Sequence, residues 1–231
     1  MGLAPRATSA LAKAKSGDGF IQGSYCDGCS LSGNQSGGGE ALMFWSDLTY
    51  ANGMNINLIP GNYSSVTPTM NAPYISSTQS DLYFPRGKIA DNTVILAASP
   101  GLGVSSGCTP VTYFCMQYEN YLLVQTMTYA TGGTIYPLSF SSAPGVMTVQ
   151  QAASIDTKID DGMPTYGSVI VAYNYGGFTI PGGFSAMAGS ATSGSSQTCF
   201  DNRGVAQDPF RYSLDQNGGK GVNCTLGFLL K

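Results

Sequence analysis

Residues 148–175, TVQQAASIDTKIDDGMPTYGSVIVAYNY, constrain the fold most, because they predict a helix, a sharp stop and a strand in immediate succession. Thr148 and Gln151 have the spacing of a capping box, in which each side chain accepts a backbone N–H at the helix start. Apolar residues then recur every three or four positions, as on one face of a helix: Val149, Ala152, Ile155 and Ile159. Gly162 and Pro164 predict that the helix ends there.

The segment after Gly167 alternates in the manner of a β-strand. One predicted face carries Val169, Val171, Tyr173 and Tyr175, and the other carries Ile170 and Ala172. The whole stretch therefore predicts a helix and a long strand joined by a short turn.

The carboxylates of this helix do not fit a purely structural role. Asp156 and Asp160 lie four residues apart, a like-charge pair that costs about 0.2–0.5 kcal/mol. Asp160 and Asp161 also lie at the helix C-terminus, where the helix dipole disfavours anions. Lys158 offsets only part of this cost, because it points elsewhere on the helix. We therefore expect a partner for the carboxylates, either loop N–H groups, a cation of a neighbouring chain or a metal, with simple solvation as the alternative.

The composition excludes several classes of function. Only 10% of the 231 residues are charged, histidine is absent and 31 residues are glycine, which favours turn-rich β structure. A net charge of −3 argues against a nucleic-acid surface. Without histidine there is no Ser-His-Asp or Cys-His arrangement. Asp160 and Asp161 diverge on a helix and so cannot flank one glycosidic bond. We therefore predict that the protein is not an enzyme.

The six cysteines form three local pairs along the chain. They are Cys26 with Cys29, Cys108 with Cys115, and Cys199 with Cys224. Six cysteines allow fifteen connectivities, among which nearest-neighbour pairing is the simplest. The CxxC spacing of Cys26 and Cys29 also fits a redox motif or half of a zinc site. The sequence has no histidine and no second CxxC motif that would complete a zinc site. Structural disulfides, and hence export to an oxidising compartment, are the favoured interpretation.

A second helix is predicted over residues 40–51. Ala41, Phe44, Trp45, Leu48 and Ala51 mark its apolar face, and Gly53 is placed to end it. We expect Phe44, Trp45 and Leu48 to anchor the core against a sheet, since Trp45 is the only tryptophan.

Residues 54–147 are predicted to form short strands and many turns, which suggests a loop-rich insertion on a simpler core, with a small subdomain as the alternative. The best strands in it are 93–98 and 121–129, and a last apolar strand is predicted at 224–230. A disulfide between Cys199 and Cys224 would join the last loop to that strand. We treat residues 1–231 as a single domain.

Four segments together resemble bacterial type IV pilins and type II secretion pseudopilins. Residues 155–164 with Gly167 match a block "IDxKIDDGxPxxG". Residues 17–21 resemble the GDGxI turn that follows the long first helix of these proteins. Residues 44–51 look like their "FWxxLxxA" helix, and Cys199 and Cys224 are similar to the cysteines that bound their C-terminal loop.

The resemblance implies an α+β fold, with a pilin-like globular head made of an antiparallel β-sheet, two short helices and long disulfide-tied loops. It implies a structural subunit in a type IV pilus or secretion pseudopilus at the cell surface or in the periplasm, either a minor or tip subunit or an unusually elaborate major one. Its partners would be further copies or related pilins, and the inner-membrane assembly machinery. The block residues are the expected subunit contacts: Asp156, Lys158, Asp160, Asp161, Gly162 and Pro164.

The same resemblance implies that a basic leader and an apolar helix of roughly 20 residues precede Met1, since that length spans a bilayer. This helix would anchor the subunit before assembly and pack against the sheet. Its first residues would carry a glutamate that pairs with a neighbouring chain's terminus.

Two further hypotheses stay open at this point. The rival function is a secreted or surface glycan-binding adhesin, because tyrosines and Asn/Asp loops suit sugar contacts. No cofactor is expected apart from calcium, which some pseudopilins bind near the C-terminus. Oxygen ligands for it are available from Asp201, Asp208, Asp215 and Asn217.

Overall fold

An antiparallel sheet packed on a helix forms the core of the protein. The computed structural model describes residues 21, 44–45, 48, 84–91, 93–98, 119–126, 145–171, 193–205 and 209–230. The chain order of its elements is β1 (Thr93–Ala98), β2 (Tyr121–Thr126), α1 (Val149–Ile159), β3 (Val169–Val171), β4 (Phe200–Asp201), β5 (Arg211–Tyr212), a 3-10 helix (Asn217–Gly219) and β6 (Leu226–Leu229).

Four of the strands form one sheet in the order β1-β2-β6-β3, with every neighbouring pair antiparallel. β4 and β5 form a separate two-stranded sheet. A helix with antiparallel sheets is an α+β arrangement, so this part of the predicted fold class is confirmed. No helix in the described ranges is long and apolar enough to span a membrane.

Helix α1 begins with the predicted capping box. The Thr148 N–H donates to Gln151 Oε1 at 2.9 Å, and the Gln151 N–H donates to Thr148 Oγ1 at 3.1 Å. The predicted apolar stripe is correct at its start and wrong at its end, because Ile159 is 62% exposed. The buried face instead consists of Val149, Ala152, Ala153 and Asp156. A carboxylate therefore continues the buried face into the last turns of the helix.

Both faces of the four-stranded sheet are buried. The face towards α1 carries Val124, Val169, Val171 and Leu226, which pack with the helix and with Phe200, Phe210 and Tyr212. The opposite face carries Leu96, Tyr121, Leu123 and Ile170, none more than 5% exposed. These residues lie in the interior, and the expected packing of a preceding helix against the sheet stays a prediction.

The strand predictions agree with the structure to different extents. β1 has the predicted bounds, and β2 is confirmed as far as Thr126, beyond which residues 127–129 lie outside the described part. Val169, Ile170 and Val171 are all buried, so this strand shows no solvent face, while Tyr173 and Tyr175 lie outside the described residues. β1 and β2 fall within residues 54–147 yet supply two of the four sheet strands. The division into core and insertion stays a prediction.

Phe44, Trp45 and Leu48 have helical backbone and half-buried side chains. The Trp45 indole N–H donates to the carbonyl oxygen of Ile95 at 2.9 Å, and its ring meets that of Phe44 edge-on with centroids 5.1 Å apart. The predicted contact between this tryptophan and the sheet is therefore confirmed at β1. The predicted bounds 40–51 lie mostly outside the described residues.

Candidate functional site

The carboxylates at the end of α1 form the most organised polar cluster of the described residues. Asp156 is completely buried. Its Oδ1 accepts the Gly162 N–H at 3.2 Å, and its Oδ2 accepts the Tyr212 hydroxyl at 2.8 Å. This one side chain therefore fixes the end of the helix both to the following turn and to β5, which is 56 residues away in sequence.

Asp160 joins the same helix end to the start of β3. Its Oδ2 accepts the backbone N–H groups of Ser168 and of Val169, the latter at 3.0 Å. The Asp160 N–H itself closes the last helical turn by donating to the Asp156 carbonyl at 2.7 Å. The Asp160 side chain thus accepts the first two N–H groups at the start of β3.

The loop between helix and strand is shaped by glycine and proline. Gly162 and Gly167 have φ of +74° and +82°, a conformation that L side chains rarely adopt. A Cβ on Gly167 would also collide with the Asp160 carboxylate. Pro164 is buried, and its carbonyl accepts the Val171 N–H at 2.8 Å. The block that resembles pilins therefore encodes one tightly bonded corner between α1 and β3.

The third carboxylate, Asp161, faces solvent. Its Oδ1 accepts the Met163 N–H at 2.8 Å. Of the partners expected for the three carboxylates, loop N–H groups are those found, together with the Tyr212 hydroxyl. Of the predicted subunit contacts, Lys158 and Asp161 are exposed, whereas Asp156 and Pro164 are buried.

Burial dominates the electrostatics of this corner. Loss of solvation raises the pKa of Asp156, and the nearby Asp161 and Asp160 add to that rise. The hydrogen bonds from Tyr212 and Gly162 oppose it by stabilising the carboxylate. Burial, followed by the hydrogen bond to Asp156, raises the pKa of Tyr212, so the phenol keeps its proton and remains a donor.

The three carboxylates approach one another closely enough to suggest a cation. One oxygen from each lies within 4.8 Å of the others. Both oxygens of Asp156, however, already accept hydrogen bonds, and Asp160 Oδ2 accepts two. A metal ion would have to compete with these donors, so the arrangement supports a structural corner better than a metal centre.

The calcium candidates are only partly brought together. Asp201 is buried, accepts the Ser213 hydroxyl at 2.6 Å and the Arg203 N–H at 2.9 Å, and lies 3.8 Å from Arg211 Nε. Asp215 is 2.8 Å from Arg211 Nη2. The guanidinium of Arg211 therefore occupies the cation position between these two carboxylates.

The other two calcium candidates are not brought to this position by the described part of the structure. Asn217 lies on the 3-10 helix, and Asp208 lies outside the described residues. The calcium site therefore stays a prediction.

The disulfide between Cys199 and Cys224 is confirmed, with Cα atoms 5.1 Å apart. Cys199 precedes β4, while Cys224 pairs with Met147 immediately before α1. The bond therefore joins the small sheet to the start of the helix and to β6. Cys26, Cys29, Cys108 and Cys115 lie outside the described residues.

Sequence reasoning missed Tyr212 and the hydrogen-bonded group beside the disulfide. Thr198 donates to Ser213 at 2.9 Å, and Ser213 donates to Asp201. Ser213 is 1% exposed, so its hydroxyl is a structural group rather than an accessible nucleophile. Residues that meet across such long sequence separations leave no pattern in the local sequence. The one hint is that Phe210 and Tyr212 lie two residues apart, the spacing of side chains on one face of a strand.

Comparison with known proteins does not assign this chain to a family. Neither a scan against protein-family models nor searches of curated proteins and of solved structures found a match to this chain. The function must therefore be argued from the residues and their geometry.

Proposed function

We propose that this chain is the globular head of a structural subunit in an extracellular filament, either a type IV pilus or a type II secretion pseudopilus. The supporting observation is the block at residues 155–167, in which the residues that resemble the pilin pattern are those that form the corner between α1 and β3. The proposal gives the head a pilin-like α+β fold and no catalytic activity.

The bonding of that corner suits a filament subunit. A subunit under tension transmits force through its head, and a helix joined to a strand only by a flexible loop would separate first. Here Asp156 and Asp160 bind the loop, β3 and β5 through hydrogen bonds to charged acceptors, which are stronger than bonds between neutral groups. The Cys199–Cys224 disulfide adds a covalent tie suited to an oxidising exterior.

The proposed partners are further copies of the chain or related pilins, and the inner-membrane machinery that assembles them. Contact with that machinery would run through a hydrophobic helix preceding the head. Before assembly the subunit would be held at the inner membrane, and afterwards it would lie in the filament.

Electron microscopy of cells that carry the gene tests the proposal. Immunogold labelling with antibodies against residues 145–230 is expected to decorate filaments in the wild type and none after deletion of the gene. Complementation with the Asp160→Ala variant, whose corner is weakened, should give fewer filaments than complementation with Lys220→Ala, at an exposed lysine outside the corner. A head released only as a free secreted protein, with specific binding on a glycan array, would contradict the filament role and favour the adhesin.

A further inference from the structure

Two exposed segments of the described chain carry the same local pattern, Lys-Ile-x-Asp. The first is the hairpin tip, residues 86–91, which contains Lys88, Ile89 and Asp91 and leads into β1. The second is the helix-end surface, residues 158–166, which contains Lys158, Ile159 and Asp161. Ile89 is 49% exposed, and Ile159 and Tyr166 on the helix-end surface are 62% and 61% exposed. Each segment therefore presents apolar area beside charges of both signs.

The two segments lie at diagonally opposite corners of the main sheet. The hairpin tip precedes β1 and the helix-end surface precedes β3, and these are the outer strands of the order β1-β2-β6-β3. Three successive antiparallel pairings make β1 and β3 run in opposite directions, so the strands begin at opposite ends. The register places Val169 level with Ala97. The strand starts are therefore separated by about 14 Å across the sheet and about 13 Å along it.

Both segments are held by their own backbone bonds and need little reorganisation to bind. At the hairpin tip the Gly87 N–H donates to the Thr93 carbonyl at 2.8 Å, and the Ile95 N–H donates to the Pro85 carbonyl at 3.0 Å. The helix-end surface is fixed by the carboxylate bonds of Asp160 and Asp161. Preorganised surfaces lose less conformational entropy on association.

The charges of the two segments complement each other. The hairpin tip carries Lys88 and Asp91, and the helix-end surface carries Lys158 beside Asp160 and Asp161. Within the described part of the chain, Lys88, Asp91, Lys158 and Asp161 form no ion pair. Opposed across an interface, Lys88 can meet Asp161 and Asp91 can meet Lys158, with Ile89 against Ile159 and Tyr166.

We propose that the hairpin tip of one copy docks on the helix-end surface of the next copy. Different patches at opposite corners make a heterologous contact, which repeats into an open chain rather than closing as a dimer. The inference builds on the proposed filament function and names the head surfaces that join its subunits. Its test uses the head alone, so that failure of this contact and failure of filament formation are separate results.

Cross-linking between variants that each carry one added cysteine tests the contact on the 231-residue chain at millimolar concentration. Ala90→Cys places a thiol on the exposed hairpin tip, and Ser154→Cys places one on the exposed helix side one turn before Lys158. With a short bismaleimide we expect a dimer in the mixture of the two variants and none in either variant alone. Mixing Ala90→Cys with Leu214→Cys, an exposed position elsewhere, is the matched control and should give background yield.

Charge reversal then tests the pairing. Adding Asp161→Lys to the Ser154→Cys partner should lower the cross-linked yield roughly three- to tenfold, as expected for reversing one surface ion pair into repulsion. Adding Lys88→Asp to the other partner should restore it. A mixed yield no higher than the control, a dimer of Ala90→Cys with itself, or no recovery in the doubly reversed pair would overturn the proposal. Cross-linking without filaments in cells would instead leave this contact standing and count against the filament function.

Discussion

Replacing Asp160 by alanine removes the acceptor of two backbone N–H groups at once, those of Ser168 and Val169 at the start of β3. A hydrogen bond to a charged group contributes about 1.5–3 kcal/mol, and the two bonds share one oxygen, so they do not add fully. The substitution also removes the unfavourable interaction of Asp160 with the helix dipole and its repulsion with Asp156. This part of the change raises the free energy of unfolding by roughly 0.5–1.5 kcal/mol. We therefore expect the free energy of unfolding to fall by about 2–4 kcal/mol.

Urea unfolding followed by tryptophan fluorescence measures this loss, and thermal unfolding should show a Tm lowered by about 5–15 °C. Asp160→Asn keeps an oxygen that can accept both N–H groups but loses the charge, so its loss should be about half as large. Asp161→Ala is the matched control on the neighbouring, exposed carboxylate and should stay within about 1 kcal/mol of the wild type. An Asp160→Ala protein no less stable than the Asp161→Ala control would refute the assignment of Asp160 as the link between α1 and β3.

Three further predictions concern the buried parts of the same region. Because burial raises the pKa of Asp156, the folded state binds this proton more tightly than the unfolded state, and stability due to this group is greatest at low pH and is lost as pH rises through the raised pKa. Wild type should therefore gain stability relative to Asp156→Asn when urea unfolding is repeated from pH 7 down to about pH 4, and a loss would contradict the reasoning. Tyr212→Phe leaves a buried carboxylate oxygen without its donor and should cost about 1–3 kcal/mol in the same assay, whereas Tyr166→Phe, at an exposed ring, should be neutral. Replacing both Cys199 and Cys224 by serine removes a cross-link between residues 25 apart and should lower the free energy of unfolding by about 3–4 kcal/mol. Peptide mapping of the unreduced wild type checks that the bond forms.

The sequence predicted the local features of the fold and missed those that depend on distant partners. The capping box, the stop at Gly162 and the bounds of β1 follow from short-range chemistry, and all three are observed. The position of Ile159 was predicted wrongly because periodicity cannot tell which positions of a helix face meet the rest of the protein. Asp156 takes the buried place because Tyr212 supplies a donor there, and that partner is invisible to any local pattern.

The candidate site likewise combines a local feature that the sequence predicts with distant contacts that it does not. An acidic cluster at a helix C-terminus signalled correctly that partners must exist, since its electrostatic cost is a local property. Which partners satisfy it depends on the path of the chain through Gly162, Ser168 and β5, and only the structure places these groups. For two of the calcium candidates, Asp201 and Asp215, the structure adds a nearby cation of the chain itself, the guanidinium of Arg211, which no local pattern pairs with them.

The three aspartates of the block at residues 155–167 have three different roles. Asp156 points inward to β5, Asp160 points sideways to β3, and Asp161 points outward to solvent. Asp156 and Asp160 each accept two hydrogen bonds within the head, so both side chains have a structural role there. Asp161 accepts a single N–H at an exposed turn, a bond that asparagine or serine could replace at little cost to stability. The proposed contact between copies gives the charge of Asp161 a use outside the head, because it would face Lys88 on the hairpin tip of a neighbouring copy.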